Sequence, residues 1–178
     1  MRRDTFIVGL VPAVAAVASP FVYAETYLTE EQARDVLFPG ESFTDASFTL
    51  TEAQRKQIAK ESGVRIRSDQ VRVLKASGGG WLFFDAVRGQ HEYIDFAVAL
   101  SADGSVKGVE ILEYRETYGH EVREPKWRAQ FTGKTVESPL ELDNDIVNIT
   151  GATLSSQNVT RGVRRLLHTW NIAVATRQ

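Results

Sequence analysis

Four runs of strand-forming residues follow one another at 70–76, 81–87, 93–100 and 106–114, and only short polar or glycine-containing connections separate them. This arrangement constrains the fold most, because strands joined so tightly pair antiparallel with their neighbours in sequence. In the third run Ile94, Phe96, Val98 and Leu100 alternate with Asp95, Ala97 and Ala99, which predicts one face in a core and one small or polar face. Ala102-Asp-Gly104 reads as a hairpin turn. Ser77-Gly-Gly-Gly80 reads as another turn rather than a phosphate loop, since neither a Lys-Ser/Thr pair nor a helix follows it. With helical patterns at both ends of this meander, the expected class is α+β: an antiparallel sheet with flanking helices.

The flanking helices carry clear start and stop signals. Thr29-Glu-Glu-Gln32 is a capping-box pattern ahead of a short helix through Leu37, which Pro39-Gly40 ends. Thr51-Glu-Ala-Gln54 opens a second helix through Ser62, with Gly63 as its terminal glycine. Both are expected to pack on the sheet, with a structural role. After the fourth strand a charged segment runs into Gly119, and a short helix follows with Trp127 and Phe131 four apart on one face as core anchors. Leu140 to Thr150 is expected to be extended. In the last helix Val159, Val163, Leu166, Leu167 and Trp170 share one face, and Arg161, Arg164, Arg165 and His168 the other. Arg161 reads either as an exposed arginine or as a cation near enough to the helix start to help hold a phosphate.

Composition bounds the function. The 178 residues carry a formal charge of −2, room for one domain with a sizeable core and no electrostatic case for nucleic acid as a partner. Residues 1–24 have Arg2 and Arg3, an apolar run from Phe6 to Ala18 and a small residue, Ala24, ahead of Glu25. This matches a secretory signal peptide, leaving 25–178 as the mature domain in the periplasm, with an uncleaved anchor as the alternative. The chain has no cysteine, so lipoprotein anchoring, disulfides, thiolate metal sites and covalent haem are excluded, and redox chemistry requires another cofactor. His91, His120 and His168 lack metal-ligand spacing, so no metal site is expected.

The chemistry concentrates at Thr150-Gly151-Ala152-Thr153-Leu154-Ser155-Ser156, ahead of the last helix. Small residues let a ligand approach the main chain, and free N–H groups at a helix N-terminus favour a phosphate. The same residues also fit a capped helix start in which Ser155 or Ser156 accepts a first-turn N–H and nothing is bound. A hydrolase using Thr153 or Ser155 as nucleophile is disfavoured, as no histidine lies near either in sequence and no nucleophile elbow is present.

This stretch resembles the [S/T]GAT signature of the FMN-binding domain in the RnfG and NqrC subunits of respiratory electron-transfer complexes and in stand-alone periplasmic flavoproteins. The order Glu116-x-x-Gly119, an aromatic helix and Phe131-x-Gly133 is similar to that family's second signature. The resemblance implies FMN attached through a phosphoester to Thr153 by an ApbE-type flavin transferase. Thr150, Gly151, Ala152, Leu154, Ser155 and Ser156 would surround the phosphate. Glu116, Tyr118, Gly119 and His120 would line the isoalloxazine, with backbone access at Gly119 and stacking on Tyr118. It implies an electron carrier rather than a stand-alone enzyme, relaying between a membrane electron donor and an envelope acceptor, with no catalytic residue of its own. One departure stands out: the family commonly has an aspartate where this chain has Val147, which implies either slower attachment at Thr153 or substitution by Asp143 or Asp145 from a shifted loop. A flavin-free periplasmic binding or assembly module of the same fold is the alternative.

Overall fold

In a computed structural model, which describes residues 25–116 and 119–175, the meander expected from the sequence is the centre of the fold. The elements in order are β1 (Glu25–Thr26), α1 (Glu30–Leu37), β2 (Phe43–Asp45), β3 (Phe48–Thr49), α2 (Glu52–Ser62), β4 (Gln70–Ala76), β5 (Trp81–Arg88), β6 (Tyr93–Leu100) and β7 (Val106–Tyr114). A 3-10 turn at His120–Arg123, the short helix α3 (Pro125–Arg128) and the 21-residue helix α4 (Thr153–Ala173) complete the chain. The strands form an antiparallel sheet in the order β1-β7-β6-β5-β4-β2, with β3 also pairing β4. The signal-peptide segment 1–24 lies outside the described residues. Among those described, no helix is long and apolar enough to cross a membrane.

The register explains which face each helix covers. Phe83 opposes Val98, which in turn opposes Val109; these side chains and Phe96 form the larger core with Val159, Val163 and Leu167 of α4. The opposite face differs from the sequence expectation. Ala97 and Ala99 are as fully buried as their apolar neighbours and form a second core with Leu82, Phe84 and Leu112 under Ala33 and Leu37 of α1. Their smallness brings α1 close: a Cβ on Gly108 would stand 2.8 Å from Leu37 Cδ2. Asp95 is the polar exception on this face, paired with Arg115 at 2.8 Å.

Both capping boxes form. Thr29 and Thr51 accept the N–H of Gln32 and Gln54, whose side chains accept the N–H of each threonine in return. Gly63 closes α2 in the left-handed conformation at φ 66°. Helix α2, expected on the sheet, instead packs on α4, where Leu50, Ile58, Ile66 and Ala173 make a small third cluster. That placement also changes the basic face of α4. Arg164 bonds the Pro139 carbonyl, His168 lies 3.5 Å from Glu61, and Arg165 pairs with Asp85 of β5. These side chains are largely covered, and Arg161 is the exposed one.

Leu140 to Thr150 is not the extended return that its apolar residues suggested. Leu140 and Asp143 take positive φ, 47° and 61°, and the segment folds around the Asp145 carboxylate. That carboxylate accepts from Lys134 Nζ at 2.9 Å, Glu141 N at 2.9 Å and Leu140 N at 3.2 Å. A partly buried acceptor satisfied locally outcompeted strand pairing.

Candidate functional site

The start of α4 is placed from three directions. Buried Trp127 of α3 donates its indole N–H to the Val147 carbonyl at 2.8 Å, and Gln130 Oε1 accepts the Val147 N–H at 2.8 Å. Arg128 fixes this short helix to β7 by donating to the Val109 carbonyl at 2.7 Å and pairing with Glu110. From the end of β7, the buried Tyr114 hydroxyl shares a 3.0 Å hydrogen bond with Ser155 Oγ in the first turn of α4. Gly119 supplies the third support. At φ 94° a side chain there would be strained, and its Cβ would stand 2.5 Å from the Tyr114 hydroxyl and 3.1 Å from Ser155 Oγ. The glycine therefore lets the loop after β7 lie directly on the helix start.

Of the two readings of the hydroxyls, helix capping fails. Ala152 occupies the N-cap position, and among the described residues no side chain caps α4. Ser155 and Ser156 lie inside the first turn, 4% and 0% exposed, with Ser155 committed to Tyr114. Ser156 Oγ lies 3.0 Å from the Ala152 carbonyl and 3.0 Å from Asn148 Oδ1. The first N–H groups of a helix have no intrahelical acceptor, so an uncapped end faces its environment as a donor set with the positive end of the dipole behind it. Thr150, Gly151, Thr153 and Leu154 are exposed around it. Gly151, at φ 84°, has nothing within 4 Å of where a Cβ would be, so there is room beside the backbone.

Asn148 was not anticipated from the sequence. Its Oδ1 accepts from Ser156 while its Nδ2 donates to Thr153 Oγ1 at 3.4 Å, so a buried serine orients the amide that holds the exposed threonine. Thr153 Oγ1 accepts in this contact, which leaves its own proton unused there.

The residues expected beside the ring system are not all in one place. Gly119 is buried against the helix start and His120 is exposed next to it. Glu116 turns to the β5–β6 hairpin, where Oε1 accepts the N–H of His91 at 2.6 Å and of Glu92 at 2.9 Å. Tyr118 lies outside the described residues. Burial raises the Tyr114 pKa, the Ser155 hydrogen bond partly offsets it, and the Glu116 and Glu121 carboxylates push it further up; the phenol stays neutral as a hydrogen-bonding strut. Asp145 is held by Lys134 and two backbone N–H groups, and Val147 is 66% exposed.

The geometry fits a phosphate carried by a flat ligand: an open helix N-terminus, an exposed hydroxyl and a glycine-lined flank. Comparison with known proteins agrees on the ligand, since residues 89–168 match the FMN-binding domain family, a span that includes both glycine loops and most of α4. A component of the Na(+)-translocating ferredoxin:NAD(+) oxidoreductase complex of Acetobacterium woodii is 28% identical, the match covering 89% of this chain and 84% of the relative. The crystal structure of Shewanella oneidensis NqrC superposes with a TM-score of 0.54 at 18% identity, over 81% of this chain and 87% of that one, which shows a shared fold. Together these likenesses support an FMN-binding domain of the RnfG/NqrC type, with residues 89–168 as the part that matches the family.

Proposed function

We propose that this chain is an exported, periplasmic electron-transfer flavoprotein whose FMN is held by a phosphoester to Thr153, working with the subunits of a membrane electron-transport complex. The observation that carries the proposal is the contrast at the start of α4: Ser155 and Ser156 are buried and bonded, while Thr153 is exposed at the first helical position with only Asn148 on its oxygen. It is the hydroxyl of the three that an ApbE-type transferase can reach. On esterification the Thr153 oxygen forms the new P–O bond as a P–O bond of the flavin donor breaks, the donor's leaving group departs and the threonine proton is given up, so the protein gains FMN less one water. A covalent tether suits a compartment where free FMN is scarce, because a noncovalent site loses its ligand by mass action.

In this reading FMN supplies the redox chemistry and the chain supplies its placement. The N–H groups at the start of α4 bind the phosphate oxygens, and Asn148 orients the Thr153 oxygen. Tyr114 and Ser155 hold the helix start against β7. Gly119 and His120 form the flank on which a ring can lie. The membrane donor and the envelope acceptor follow from the relatives' membership of redox complexes and from the export pattern of residues 1–24. The transferase, with Mg²⁺ on its side, acts once.

The test is intact mass after co-expression with an ApbE-type transferase. The wild type gains one FMN less one water and stays yellow after denaturation, and Thr153→Ala does neither. An unmodified, colourless wild type would favour a flavin-free module instead, a reading supported by Val147 in place of the family's aspartate.

A further inference from the structure

A second site lies away from Thr153, in a cavity of about 290 Å³ between α4, the segment after α2 and the β5–β6 hairpin. Arg65, Arg67, Arg88 and Arg161 line it, and Arg165 closes one wall. Arg165 is neutralised by Asp85. The other four are exposed, and none forms an ion pair or side-chain hydrogen bond with a described residue. Among the described residues no carboxylate lines the cavity. In a chain whose net charge is −2, four guanidinium groups unpaired among the described residues and converging from three separate segments form a positive recess that favours an anion.

The walls are rigid. Gly162 brings α4 so close to the sheet that a Cβ would stand 2.7 Å from Phe96 and 2.8 Å from Val87, and Asn158 ties α4 to the Arg88 carbonyl at 2.6 Å. Arginine forks match the oxygens of a phosphate bidentately. Tyr93, 47% exposed, stands at the mouth as an amphipathic ring. The site is distinct from the phosphate position at Thr153. Arg161 follows eight residues later, about 12 Å along the helix axis and roughly 80° around it.

We propose that this arginine cavity is an anion site for a phosphate group, presented by a small phosphorylated molecule or by an anionic phospholipid headgroup. It does not depend on flavin attachment at Thr153, and Thr153→Ala should retain it.

Two probes at low salt test the proposal on the full chain: pyrophosphate followed by calorimetry, and co-sedimentation with phosphatidylcholine vesicles with and without phosphatidylglycerol. The wild type should bind at least one probe, with affinity falling as salt rises. The paired Arg88→Gln, Arg161→Gln variant should bind it at least about tenfold more weakly. Lys56→Gln, the same kind of charge change at a site on α2 outside the cavity, should bind as the wild type does. Pyrophosphate binding identifies a small phosphate ligand, and vesicle binding that requires phosphatidylglycerol identifies a headgroup. Failure of the wild type to bind either probe, or equal binding by the paired arginine variant, overturns the proposal.

Discussion

Helices α1 and α2 begin one way and α4 another. The two shorter helices, 8 and 11 residues, each have a complete Thr/Gln capping box; the 21-residue α4 has no side-chain cap, although four hydroxyls lie within three residues of its first turn. Short helices are marginal in water and need their end groups satisfied. A cap contributes about 1 kcal/mol, whereas each large apolar side chain that α4 buries, Val159, Val163 and Leu167 among them, contributes about 1.5–3 kcal/mol. A helix held by its packed face can leave its N-terminus open. That open end, with its hydroxyls turned inward except at Thr150 and Thr153, is where an anion can bind without displacing a bond the fold needs.

The largest expected effect comes from closing the approach to that end. Gly119→Val has to relieve a left-handed φ and a 2.5 Å clash with the Tyr114 hydroxyl, a combination expected to cost about 2–4 kcal/mol in urea denaturation and to lower flavin incorporation with it. A variant as stable as the wild type would show that the loop does not support the start of α4. Tyr114→Phe is the milder cut. It leaves Ser155 Oγ, 4% exposed, without its partner, at a cost of about 1–3 kcal/mol.

The comparison itself can be inverted by mutation. Thr29→Ala and Thr51→Ala should each lower stability by about 1 kcal/mol and leave flavin content unchanged. Thr153→Ala should do the reverse, with stability within about 0.5 kcal/mol of the wild type and no covalent flavin. If Thr153→Ala destabilised as much as Thr51→Ala, Thr153 would be acting as a cap, and the contrast between the helices would fail.

The scaffold was legible in the sequence because local signals determine it. The capping boxes, Gly63, the hairpin turns and the four central strands are written in adjacent residues. What misled was long-range. Ala97 and Ala99 read as a small, polar-side face, yet smallness there admits α1. The four basic residues of α4 were placed on one face, with nothing in the sequence to show that α2 and the 139–141 segment cover much of it. At the candidate site, residue types marked the Thr150 to Ser156 stretch as either a phosphate site or a capped helix start, and Gly119 entered through the resemblance to the family's second signature. The contact that ties the stretch to the end of β7 was not legible, since Tyr114 and Ser155 are 41 positions apart in sequence. Asn148 carried no signal, because an asparagine in a polar loop is ordinary until its two partners are known. Glu116 was read by position beside the glycine loop, whereas its carboxylate is bound by hairpin N–H groups, an attachment that depends on the β5–β6 turn.

Asp145 sharpens the comparison from the other side, for it does for the loop before α4 what the threonines do for α1 and α2. Burial works against its ionisation, but the Lys134 ammonium and the N–H groups of Glu141 and Leu140 outweigh that and hold its pKa below the ordinary 3.8. A carboxyl whose folded pKa is depressed contributes stability above its unfolded value and loses it as pH falls through the folded one. Asp145→Asn should therefore be less stable than the wild type at pH 7, by about 1 kcal/mol. The gap should narrow below the ordinary 3.8, as the wild-type carboxyl protonates. Denaturation of both proteins across that range measures it. A gap that persists unchanged in acid would mean that the loop is held by packing rather than by the charged carboxylate, and that only α1 and α2 depend on a side chain accepting backbone N–H groups.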